Sequence, residues 1–107
     1  MTPEFPIPLA DLLKSANQPE RNGLTKAGRA LQKHGERKNS VFPKPVGNPE
    51  ALNQQAIDIV NNILTAINKT HTERHHARFG NIIDIYAPNG QGVRYDTFQN
   101  FIGFIEQ

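Results

Sequence analysis

Two histidines and three arginine-bearing positions concentrate the chemical potential of this chain: Arg74, His75, His76 and Arg78 stand just before an apolar run from Asn81 to Ala87, and Arg94 follows shortly after it. Imidazole exchanges a proton near neutral pH, and guanidinium holds a phosphate in a fixed fork, so the combination points to nucleic-acid chemistry. Upstream, Lys33, His34, Glu36, Arg37 and Lys38 repeat the same side-chain types at the end of an expected helix. If both clusters face one cleft, the reaction that suits them is transesterification of RNA. The substrate's 2′-hydroxyl attacks the adjacent phosphorus, leaving a 2′,3′-cyclic phosphate and a free 5′-hydroxyl. The protein supplies a base, an acid and fixed positive charge for the phosphorane. DNA lacks the attacking hydroxyl, so the route selects RNA.

In that scheme His34 and His76 are the candidate proton carriers, and Arg37 and Arg78 hold the charge that develops at phosphorus. Lys33, Arg74, Arg94, Tyr95 and Thr97 are candidates for holding the substrate. Arg94 has a competing reading as the exposed cross-strand partner of Asp84 or Asp96. A metal reading draws on His71, His75, His76 and Asp84, but His71 and His75, four apart, sit where the pattern is extended and not helical. The leading scheme therefore calls for no metal and no cofactor, with a metal-dependent nuclease and a non-catalytic RNA-binding or protein-interaction module as alternatives.

The chain has 107 residues, enough for one small domain with one site, and no cysteine, which excludes disulfides, thiolate metal sites and a cysteine nucleophile. Its net charge of +2 hides an asymmetry: Arg21, Lys26, Arg29, Lys33, Arg37, Lys38 and Lys44 stand against Glu36 alone between residues 21 and 45. A basic face of this kind attracts a phosphate backbone, or is simply a solvated helix face. No stretch is long and apolar enough to span a membrane, and the N-terminus lacks the pattern of a signal peptide.

The elements that must position these residues are legible from spacing. Residues 1–22 carry Pro3, Pro6, Pro8 and Pro19 around one short helical pattern, Leu9–Ser15, and read as a linker or docking segment outside the core of a domain spanning 23–107. Thr25 is the expected N-cap of a helix ending at Gly35, with Gly35 in the left-handed C-cap conformation. Lys26, Arg29 and Lys33 form its basic stripe; Ala27, Ala30 and Leu31 form its inward side. His34 in the last turn is expected to have a raised pKa from the helix dipole unless burial opposes it. Gly28 marks a close approach to another group.

A second helix starts with Asn48 as N-cap and Pro49 at its first position, and runs to about Ile67, with Ala56, Ile59, Val60, Ile63, Leu64 and Ile67 as core. From Thr72 the period becomes two, giving strands over 72–79, 81–87, 93–96 and 101–106 joined by tight turns. On the first of these, Arg74, His76 and Arg78 share the open face, and Glu73, His75, Ala77 and Phe79 the other. The fold class is α+β: N-terminal helices packed on one face of a C-terminal antiparallel sheet of about four strands.

The segments Leu24–Arg37, Ser40–Pro43, Gly47–Asn48, Arg78–Gly80, Gly92–Tyr95 and Phe101–Glu106, in this order and spacing, resemble the C-terminal ribonuclease toxin domains of bacterial contact-dependent growth inhibition and polymorphic toxin systems, which have a barnase-EndoU-colicin-RelE-like fold. The chain departs from the pattern at Thr97–Gln99, where a glycine-containing turn is expected, and at Gln107. The resemblance implies a metal-independent tRNase, carried as the tail of a larger secreted effector into the cytoplasm of a target bacterium. It implies RNA, most often tRNA, as substrate, a cognate immunity protein as partner, no membrane association, and a translation factor as an optional helper. It assigns a catalytic or phosphate-binding role to His34, Arg37, Arg78 and Arg94.

Overall fold

The computed structural model of the protein describes residues 8–106, and within them helices and strands follow the α+β order. Three helices, α1 (Leu9–Ala16), α2 (Lys26–Gly35) and α3 (Pro49–Thr65), pack against an antiparallel sheet of β3 (Thr70–His76), β4 (Gly80–Tyr86), β5 (Gln91–Asp96) and β6 (Phe101–Glu106). A short ribbon of β1 (Pro19–Arg21) and β2 (Leu24–Thr25), absent from the sequence reading, leads into α2. The sheet runs β3-β4-β5-β6, each strand beside its chain neighbour.

Alternation on the pleat, reset in β6 by a bulge at Ile102, sends Ile83, Ile85, Val93, Tyr95, Phe101 and Phe104 to one face, where they meet Leu31, Ala56, Val60 and Ile63 in a single core. The opposite face carries Arg74, Ile82, Asp84 and Arg94. β3 is an outer strand exposed along almost its whole length, and its charged and histidine side chains discourage pairing with another chain.

Several expectations are corrected by packing. α1 belongs to the core: Leu12 and Ala16 are fully buried, the Tyr95 hydroxyl donates to the Leu12 carbonyl at 2.8 Å, and Ser15 Oγ accepts the Phe101 N–H at 2.7 Å. The long-range bonds fix α1 to the sheet, which the proline-rich surroundings concealed. Residues 1–7 of the expected linker lie outside the described residues. α3 stops at Thr65, so Ile67 is 84% exposed and not core.

Gly35 is not left-handed. It closes α2 in ordinary geometry, and its missing side chain makes room for the Pro43 carbonyl and the Pro45 ring, 2.4 and 2.7 Å from where a Cβ would lie. The chain reverses further on, at Asn39 (φ 62°). β3 ends at His76, leaving Arg78 and Phe79 in the turn to β4, where strand alternation no longer decides their direction.

Candidate functional site: a cationic cleft at the helix–sheet edge

The first wall is α2. Thr25 caps it by accepting the Gly28 N–H at 3.0 Å. Gly28 is buried against the Asn53 side chain, whose Oδ1 accepts from the Thr25 N–H at 2.9 Å; this explains the glycine without a ligand. With Ala27, Ala30 and Leu31 turned into the core, Lys26, Arg29 and Lys33 face outward, as their spacing requires.

At the helix end His34 is half-buried. Its ring sits edge-on to Phe42 (5.5 Å between centroids) and Phe104 (6.4 Å). The Arg37 Nη1 lies 3.3 Å from His34 Nδ1. Guanidinium can only donate, so Nδ1 is the acceptor and the neutral ring carries its proton on Nε2. Burial lowers the His34 pKa below 6.5, and Arg37 and Lys33 push the same way against the opposing pull of Glu106. The dipole-driven rise expected from the sequence is thus reversed by desolvation, the term that disfavours the charged form.

Glu106 lies 72 positions further along the chain, and no local signal in the sequence links it to His34. Its Oε1 accepts from Ser40 Oγ and from the Val41 N–H, both at 2.7 Å, and these bonds hold its pKa low. The carboxylate thereby anchors the loop that carries Phe42 to the His34 ring.

The second wall is the outer face of the sheet. Asp84 is buried and forms a fork with Arg94, accepting from Nε at 2.7 Å and Nη2 at 3.0 Å; Arg74 adds a 3.4 Å contact from the other side. The hydrogen bonds to Asp84 raise the Arg94 pKa, so its charge is permanent. The competing reading of Arg94 as the cross-strand partner of Asp84 is therefore correct, and it is compatible with a place in the cleft, because Nη1 is outside the fork. Between Arg94 and Tyr95 the register of β5 and β6 slips by one residue, and the bulge brings Ile102 to the cleft. Gly103, opposite Arg94, has open space where a side chain would begin. A glycine beside the bulge leaves the floor of the cleft open next to Arg94.

These walls enclose a cleft of about 650 Å³ whose lining includes Lys26, Arg29, Lys33, His34, Arg37, Arg78, Phe79 and Arg94, with Glu20, 3.6 Å from Arg29, as its only carboxylate among the described residues. Among the expected site residues, Lys33, His34, Arg37, Arg78 and Arg94 come together here. The others are elsewhere. His76 accepts the Arg78 backbone N–H on Nδ1 at 3.1 Å and lies against the Phe79 ring at 5.0 Å, so it shapes the turn that presents Arg78 and is not a cleft residue. Tyr95 is fully buried with its hydroxyl committed to Leu12, and burial raises its pKa; it has no surface to offer a substrate. Arg74 and Thr97 line a separate depression of about 300 Å³ with Glu73 and His75.

Phe79 and Arg29 are cleft residues the sequence reading did not select. Phe79 is 38% exposed with the Arg78 guanidinium 5.2 Å from its ring centre. The residues weighed as metal ligands diverge: Asp84 is held by arginines, His75 contacts Asn81, and among the described residues no three His, Asp or Glu side chains converge. No helix among the described residues is long and apolar enough to cross a membrane.

Helices on one face of an antiparallel sheet, with a polycationic groove around one half-buried imidazole, define an α+β domain suited to a polyanion. The family model of the CdiA C-terminal tRNase toxin domain matches residues 13–106, and the chain belongs to that family. Among solved structures, the toxic C-terminal tip of CdiA from Pseudomonas aeruginosa in complex with immune protein matches with a TM-score of 0.75 at 28% identity, covering 87% of this chain and 99% of that one. No curated protein matches this chain.

Proposed function

We propose that this domain is a metal-independent tRNase toxin that cuts RNA by internal 2′-hydroxyl attack. The observation that carries the reading is the grouping of His34 with Arg37, Arg78 and Arg94 in one cleft, the imidazole kept neutral by burial. Membership of the CdiA C-terminal tRNase family supports tRNA as the substrate.

In the free protein Arg37 donates to His34 Nδ1. A phosphodiester oxygen is a stronger, charged acceptor, so Arg37 transfers to the scissile phosphate and uncovers Nδ1 as the base. Nδ1 takes the 2′-hydroxyl proton, the O2′–P bond forms, and the P–O5′ bond breaks. The departing 5′-oxygen takes a proton from water in the open cleft. Arg37, Arg78 and Arg94 stabilise the added charge on phosphorus, an effect strongest where the donors are already fixed, as Asp84 fixes Arg94. Lys26, Arg29 and Lys33 bind the flanking phosphates, and Phe79 offers a face on which a base can stack.

The matched CdiA tip is bound to an immune protein, which supports a cognate immunity protein for this domain and its delivery, as the end of a larger secreted effector, into the cytoplasm of a target bacterium. The test is incubation with total tRNA in EDTA, followed by mapping of the new ends. Fragments with 2′,3′-cyclic phosphate and 5′-hydroxyl termini, lost in His34→Ala, are expected. Activity abolished by EDTA and restored by a divalent cation overturns the metal-free mechanism; RNA binding with no cleavage by the parent reduces the domain to a binding module.

A further inference from the structure

The turn between β5 and β6 carries Phe98 at 83% exposure, far more than any other aromatic side chain among the described residues. It is held rigidly. Asp96 accepts from the Phe98 N–H, the Asn100 N–H and Asn100 Nδ2 at 2.9, 2.9 and 3.0 Å, and Gln99 is forced to φ 70°, a conformation that costs a non-glycine residue free energy. An apolar ring left in solvent on a strained turn gains nothing for folding. Beside it runs a groove of about 470 Å³ lined by Lys14, Lys26, Gln18, Gln99 and Asn100, with Asp11 as its only acid among the described residues. Lys26 also lines the cleft of His34, so the two depressions meet at that lysine.

We infer that this groove is a second RNA subsite, in which Phe98 stacks an unpaired base of the strand leaving the cleft while Lys14 and Lys26 hold its backbone. The inference rests on the proposed RNA-cleaving function and extends it to substrate length. A polyanion threaded past His34 has to exit the cleft, and along Lys26 it meets a second lysine, a stacking face and three amides able to read base edges, the combination by which single strands are bound. A substrate with an unstacked single-stranded segment beside the cut satisfies this path; a continuous duplex has no free base for Phe98.

The test pairs two substrates with Phe98→Ala. Steady-state cleavage is measured on whole tRNA and on a four-nucleotide RNA centred on the mapped cut, and tRNA affinity is measured by fluorescence anisotropy in the His34→Ala background. Phe98→Ala is expected to weaken tRNA binding and raise KM for tRNA about tenfold, the scale of one lost base–aromatic stack. Its kcat is unchanged, its rate on the short RNA equals the parent's, and Phe98→Tyr restores tRNA binding. Unchanged tRNA affinity, or equal losses on both substrates, overturns the subsite. So does a loss confined to binding of the immunity protein, which assigns the turn to that partner. If the parent cleaves tRNA and Phe98→Ala behaves identically, the subsite alone is refuted; if the parent neither binds nor cleaves tRNA, the proposed function falls and the subsite with it.

Discussion

Replacing Gly103 with valine separates the cleft's role in function from its role in folding. Gly103 lies inside β6 opposite Arg94, its φ is outside the left-handed region, and a Cβ built on it meets no atom within 4 Å. The first carbon of the new side chain is therefore accommodated without a clash, and the rest projects into the cleft beside Arg94. Valine suits a strand better than glycine, by up to ~1 kcal/mol, and it restricts the unfolded chain. A net gain of about 1 kcal/mol raises the melting temperature of a domain this size by roughly 4–8 °C. The isopropyl group occupies the floor beside Arg94, and displacing the scissile phosphate by about 1 Å costs on the order of a hundredfold in rate. Melting followed by circular dichroism, together with initial rates on tRNA, reads both quantities. Higher stability with undiminished cleavage would refute the assignment of this cleft as the place where RNA is cut. Gly92→Ala is the contrasting control: its Cβ would lie 2.6 Å from the Tyr86 ring and 2.8 Å from Ile105, so it destabilises through packing.

Tyr95→Phe removes the hydroxyl's bond to the Leu12 carbonyl, which keeps its helical partner within α1, and a stability loss of about 0.5–1.5 kcal/mol is expected in urea unfolding, with cleavage per folded molecule retained. A normal midpoint with lost activity would return Tyr95 to the substrate side. Asp84→Asn removes the ionic partner of Arg94 and is expected to lower stability by about 1.5–3 kcal/mol and cleavage about tenfold, read by urea melts and tRNA assays. For pH, burial, Arg37 and Lys33 hold the His34 pKa below 6.5, so kcat/KM falls only as pH drops under that value. Arg37→Ala removes one lowering influence and moves the His34 titration, followed by NMR, to higher pH; a shift to lower pH contradicts the electrostatics. Stability follows the same sign. The unfolded chain binds more protons than the folded one at both His34 and Glu106, so their contribution is complete above about 6.5 and is lost as pH falls, first through His34 and then, below 4.5, through Glu106.

Helical and strand periods, Thr25 and Asn48 as N-caps and Pro49 at a helix start are local properties, and they suffice to define two helices, four strands and their order without reference to packing. The basic stripe of Lys26, Arg29 and Lys33 was equally legible, because on a helix three- and four-residue spacing dictates a shared face. The sequence offered His34 and His76 together as proton carriers and set His75 on the opposite face from His76. Alternation separated the last two but did not reveal that β3 ends at His76 and that the turn bends Arg78 and Phe79 into the cleft. Nor did it reveal that Tyr95 reaches Leu12, that Glu106 anchors the loop beside His34, or that desolvation outweighs the helix dipole at that imidazole. Each of these depends on groups distant in the chain. Hydrophobic burial of the shared core brings them together, and burial is what sets which polar groups are paired, which are desolvated and which are left facing the cleft.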